Sequence, residues 1–88
     1  MNENAHKILE SAGTVAELIM VNIKTNFLAA IEEDGFTKKK LVESQGFSVQ
    51  WLDEILKAKS ITLRSLCALA YLSGSTPIEL MQPVERAE

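Results

Sequence analysis

Cysteine is almost missing from this chain. Cys67 stands alone among 88 residues, so no intrachain disulfide can staple the fold, and a reducing, cytoplasmic compartment is expected. Histidine is equally scarce. With His6 near the amino end and Cys67 inside an apolar stretch, there is neither a nucleophile–base pair nor a cluster of metal ligands. No glycine-rich phosphate loop occurs either. Enzymatic activity, a metal and a cofactor are therefore not expected; His6 reads as a surface residue and Cys67 as a core one. The opening MNENAHK lacks the basic run and apolar stretch of a signal peptide. No uninterrupted apolar run approaches the roughly 20 residues that cross a bilayer. Strand alternation, internal repeats and low-complexity segments are missing too.

What remains is an ordinary globular composition, 47% hydrophobic and 24% charged, in a length that supports one modest core. The net charge of −3, with pI near 5.1, is unevenly distributed. Within residues 36–65, Lys38, Lys39, Lys40, Lys57, Lys59 and Arg64 outnumber Glu43, Asp53 and Glu54 six to three, whereas the flanking segments are both acidic. A local basic patch can hold phosphate in an acidic protein, although the surrounding field slows encounter.

Helical periodicity dominates the chain. Residues 5–12 make about two turns with Ile8, Leu9 and Ala12 on one side and Gly13 as a stop. Thr14, at capping-box spacing from Glu17, is expected to open a second helix that runs to about Asp34 and ends at Gly35. In that helix Val15, Ala16, Leu18, Ile19, Met20, Val21 and Ile23 are seven apolar residues in nine, leaving polarity mainly at Glu17 and Lys24. Such a helix needs burial on most sides. Two arrangements provide it: a homodimer contact through Val15, Leu18, Ile19, Met20 and Val21, or an amino-terminal arm folded back over its own core. Phe27, Leu28 and Ile31 continue the core face. Towards the end, Thr62 caps a helix through Ser73 whose Leu63, Leu66, Leu69, Ala70 and Leu72 supply core, with Gly74 as its stop. Thr76, Pro77 and Glu79 mark a last short helix, in which Ile78, Leu80 and Met81 close the core. Pro83 ends it, and residues 84–88 are expected to fray.

The middle of the chain carries the strongest organisation. Leu41 and Val42 form a narrow stripe behind the lysine run, Gly46 interrupts, Ser48 offers an N-cap, and Leu52, Ile55 and Leu56 resume helical spacing. Helix, glycine turn, helix is the unit that places its second helix in a DNA major groove. Together with Phe47 after the glycine and LCALAYLSGSTPIELM as two closing helices, residues 27–81 resemble the helix-turn-helix domain of the lambda repressor and Cro-like family. The resemblance implies an all-α fold: a compact five-helix lambda repressor-like helix-turn-helix domain over residues 21–82, with an amino-terminal helical extension over 1–20 and a tail over 83–88. It also implies binding to double-stranded DNA.

Projected at 100° per residue, the second helix of the unit places Ser48, Trp51, Leu52, Ile55 and Leu56 on one arc and Gln50, Asp53, Glu54 and Lys57 on the other. The second arc would face DNA. Gln50 suits a bidentate bond to adenine, whereas Asp53 and Glu54 accept only from donors such as the cytosine amino group. Val49 lies at the margin, suited to a thymine methyl or to the core, and Trp51 suits the core or a protein partner. Lysines in a helix's first turn oppose its dipole by about a few tenths of a kcal/mol each, which an anionic partner offsets. Lys38 and Lys39 on one side and Lys57, Lys59 and Arg64 on the other are the expected phosphate contacts. The reading is a sequence-specific DNA-binding regulator, a phage- or plasmid-type repressor acting as a homodimer. The alternative is a protein-interaction module or antitoxin with weak or no DNA binding.

Overall fold

Asn2 begins the first helix. Its side-chain oxygen accepts from the Ala5 amide at 2.8 Å, and α1 then runs without interruption over Glu3–Glu33. The computed structural model describes residues 2–84, and the frayed tail expected beyond Val84 lies outside the described residues. After α1 come α2 (Lys38–Ser44), α3 (Val49–Lys57), α4 (Leu63–Ser73) and α5 (Pro77–Met81), with no strand among the described residues. The fold is all-α.

The break expected at Gly13 and Thr14 does not occur. Gly13 keeps a helical backbone, and Thr14 Oγ1 donates to the Glu10 carbonyl one turn back at 3.2 Å instead of capping a new helix. A mid-helix glycine costs about 1 kcal/mol relative to alanine, too little to divide a helix that continues from Glu3 on one side to Glu33 on the other. Thirty-one residues at 1.5 Å make a rod of roughly 45 Å, which accounts for the 49 Å longest dimension of the molecule. The radius of gyration, 14.9 Å, exceeds the roughly 12 Å of a compact chain of this length. The first four turns of α1 project from the body.

The body is built on the other half of that rod. Ile23, Phe27 and Ile31 repeat at four-residue spacing and are buried against Leu41 and Val42 of α2, Leu52 and Leu56 of α3, Leu66, Leu69 and Ala70 of α4, and Leu80 of α5. Helix α1 touches α2, α4 and α5, and α3 packs on α2. By length and composition alone α1 is also long and apolar enough to cross a bilayer, although no uninterrupted apolar run in it is. Its second half is nevertheless the wall of a protein core.

Four expected core residues lie outside it. Leu63 is 80% exposed because it sits in the first turn of α4, beyond the level where Leu66, Leu69, Ala70 and Ser73 meet α1. Ile78 and Met81 are exposed because α5 turns only Leu80 inward. Cys67, expected in the core, is exposed as well, about 100° around α4 from Leu66. Buried Ser73 donates its hydroxyl to the Leu69 carbonyl at 2.9 Å.

Two asparagines hold α5, a five-residue helix too short to persist alone. Asn26 Nδ2 donates to the carbonyls of Leu80 and Gln82, both at 2.9 Å, and buried Asn22 donates to that of Met81 at 3.3 Å. These are carbonyls that a helix end leaves without intrahelical partners. Asn26→Ala is expected to lower unfolding free energy by about 1–2 kcal/mol, read by urea denaturation, while Asn4→Ala on the projecting arm changes it by less than about 0.5 kcal/mol.

Candidate nucleic-acid interface

Thr37 and Ser48 set the two helices of the central unit. The Thr37 hydroxyl accepts from the Lys40 amide at 3.2 Å and the Ser48 hydroxyl from the Trp51 amide at 3.0 Å, each satisfying a first-turn donor. Between them the chain turns at Gly46, whose φ of 88° is a left-handed conformation that a Cβ disfavours. The Phe47 amide then donates to the Val42 carbonyl at 2.9 Å and the Gly46 amide to Glu43 at 3.2 Å, the paired bonds of a Schellman ending. Helices α1 and α4 finish with the same two bonds, at Gly35 and Gly74.

With Leu52 and Leu56 buried, α3 presents Gln50, Glu54 and Lys57 outward, all exposed. Asp53 is partly covered because Lys38 Nζ reaches it from α2, 3.1 Å from Oδ1, with the two side chains 42% and 37% exposed. An ion pair this open contributes about 0–1 kcal/mol. Its larger effect is on charge: a carboxylate that would repel phosphate is matched by a neighbouring cation. Glu54 is also engaged, accepting from Gln50 Nε2 in a long contact of 3.4 Å, so Gln50 and Glu54 share one turn of the outer face.

The structure thus joins Lys38 to Asp53 and Gln50 to Glu54. Lys39, Lys57, Lys59 and Arg64 are exposed around them, with Lys40 beside Lys39, and no ion pair links them to an acid among the described residues. Val49 is half-buried against the core, as is Ile55. No family model, characterised protein or solved structure matches this chain. The site is therefore read from its own residues.

An aromatic pair was not anticipated from the sequence. Phe47 stacks on Trp51 with ring centroids 4.3 Å apart and planes inclined by 22°, and Phe47 remains 40% exposed. Trp51 also packs against the core, bridging it to the surface. The signal was present in the spacing: residues flanking a serine N-cap at N′ and N3 lie on the same side of the helix start, close to the staple arrangement. Beside Trp51, Glu54, Ser60 and Thr62 rim a shallow depression between the end of α3 and the start of α4, with Ile55 and Ile61 at its floor.

Gly46→Ala tests whether the turn depends on its backbone. A Cβ there meets nothing within 4 Å, so sterics with neighbours are excluded as a cause. The expected loss is about 1–2 kcal/mol from left-handed strain alone, measured by chemical denaturation; an unchanged midpoint would show that the turn tolerates another geometry.

Proposed function

We propose that this chain is a small sequence-specific DNA-binding transcriptional regulator of the repressor type, with a lambda repressor/Cro-like helix-turn-helix arrangement, acting in the cytoplasm as a homodimer. The observation that carries the reading is the outer face of α3: Gln50 stands exposed in its first turn, Asp53 is charge-matched by Lys38, and exposed cations lie on both flanks. Lys38 and Lys39 at the start of α2 and Lys57, Lys59 and Arg64 beyond α3 would contact phosphates, while Gln50 reads a base edge with a bidentate hydrogen bond. Ser48 and Val49 would lie at the edge of the contact, and Glu54 would accept from a base amino group once Gln50 releases it. Two copies would set their α3 helices in successive major grooves about 34 Å apart. Occupying such a site blocks other proteins from it.

A second reading rests on the Phe47–Trp51 stack. An exposed aromatic next to a half-buried tryptophan suits a protein partner, as in an antitoxin or interaction module, and the overall charge of −3 opposes binding to a polyanion. Fluorescence anisotropy of duplexes drawn from the gene's own neighbourhood, against random duplexes and across a salt series, separates the two. DNA binding is expected to saturate, with log affinity falling linearly in log salt by about 0.9 per phosphate contact. Gln50→Ala is expected to erase about 1–3 kcal/mol of preference between duplexes while leaving the salt slope unchanged. No binding even at low salt, with a protein partner retained on purification, would replace this reading by the second.

A further inference from the structure

The projecting half of α1 carries an apolar face that nothing in its own body covers. Ile8, Leu9 and Val15 are 67%, 57% and 55% exposed, and they continue the stripe that becomes Ile23 and Phe27 inside the core. At 100° per residue this face occupies an arc of about 120° centred on Ala12. The opposite side holds His6, Lys7, Glu10 and Glu17. A contiguous apolar surface of this kind marks an interaction site.

Its pattern identifies the partner. The apolar positions are symmetric about Ala12: Ala5 mirrors Ile19, Ile8 mirrors Ala16, and Leu9 mirrors Val15. Two of these pairs match a large side chain with alanine. A face apolar at every mirrored position, with large opposite small in two of the three pairs, is complementary to itself when a second copy is laid across it antiparallel, because a twofold axis brings each residue to its mirror position. At the centre lie Ser11, Ala12 and Gly13, small enough for two helices to cross closely, and a Cβ at Gly13 would meet nothing within the chain. The geometry also gives the partner's first turn a seat. Where it would lie, a shallow groove of about 180 Å³ opens between α1 and the segment after α3, with Ala16, Met20 and Ile23 facing Lys59 and Ile61.

We propose that two copies of this chain pair through residues 5–19 of α1 as an antiparallel helix pair whose twofold axis passes at Ala12. The proposal specifies the homodimer contact of the regulator reading and rests on that part of it alone. It retains Val15 and Ile19 from the contact set expected from sequence, Ile19 being already half-buried at the edge of the core, and moves the seam towards the amino end, leaving out Met20, which packs against the core. Leu18 lies about 120° around the helix from Ala12 and Val21 a further 60° on, both off the seam. The arm's charge argues against an anionic membrane as the occupant, since Glu3, Glu10 and Glu17 face a single Lys7, whereas helices that lie on such surfaces are rich in lysine and arginine.

Cysteine cross-linking in the full chain tests the register, in a Cys67→Ser background because Cys67 is exposed. Ala12→Cys is expected to give a disulfide-linked dimer under mild oxidation. Ile8→Cys alone is not, because the two copies of residue 8 would be about 12 Å apart along the pair, beyond the 4.4–6.8 Å Cα separation of a disulfide. Mixing the Ile8→Cys and Ala16→Cys proteins restores cross-linking. Ala12→Glu, which sets two carboxylates at the crossing point, is expected to halve the mass seen by sedimentation without altering the helical spectrum. Equal self-cross-linking at residues 8 and 12 would indicate parallel helices, a concentration-independent monomer mass would remove the dimer, and flotation of the chain with phosphatidylcholine vesicles would assign the face to lipid; each overturns the proposal. None of these readouts involves DNA, so failure of duplex binding with the cross-links intact would refute the regulator reading alone.

Discussion

Everything in the body of this molecule leans on one row of side chains, Ile23, Phe27 and Ile31 of α1. Helices α2, α4 and α5 each touch α1, and α3 packs on α2 while adding Leu52 and Leu56 to the same core, so the row is the wall against which the short helices are ordered. None of them would persist alone: α2, α3 and α5 span only 7, 9 and 5 residues, below the length at which an isolated helix is stable in water. Their order is tertiary, and its source is burial of apolar surface against α1.

The same fact explains the arm. Four short helices cover about as much of a rod as the longest of them, and α4 with 11 residues spans roughly 16 Å. A helix of 31 residues is nearly three times that length. The apolar period does not stop where the body stops, so the chain carries a stripe that folding alone leaves uncovered. Asn22 and Asn26 stand near the boundary. They turn part of the helix surface towards α5 through hydrogen bonds to carbonyls, fixing where the body begins.

Local signals in the sequence were legible where local physics decides the outcome. Ser48, Thr62 and Thr76 all cap the helices expected of them, Thr76 and Glu79 form the reciprocal capping box, and Gly35, Gly46 and Gly74 all carry left-handed backbones at helix ends. Leu41, Val42, Leu52, Leu56, Leu66 and Leu69 are buried as their periodicity requires. Thr14 misled for a physical reason: a threonine can either cap or bond to the carbonyl four residues back, and an uninterrupted apolar stripe favours the second. Leu63, Cys67, Ile78 and Met81 misled because the depth of a core is a property of the assembled helices, and a helical wheel does not contain it. The Asn22–Asn26 clamp spans more than fifty residues of sequence, and only the i, i+4 repeat of a carboxamide on an otherwise apolar helix hinted at it. At the candidate interface the acids and cations were each visible, but the Lys38–Asp53 match was not, since it depends on the angle the Gly46 turn imposes on α2 and α3.

That match, and the arm, bear on the same problem. On the proposed reading, one copy of α3 offers a single well-suited base reader, Gln50, within a chain whose net charge is −3. A single good contact discriminates by about 1–3 kcal/mol, far less than the 4–10 kcal/mol that separates specific from non-specific sites. Neutralising Asp53 removes a local repulsion without adding discrimination. Pairing through α1 supplies what one copy lacks: two half-sites read together add their discrimination, and a rigid helical seam holds the second reader near its half-site instead of leaving it to free encounter. A weakly basic, sparsely reading surface and an uncovered apolar helix would each be hard to explain alone. On the proposed reading, together they would describe a protein whose binding surface is complete only when two copies share it.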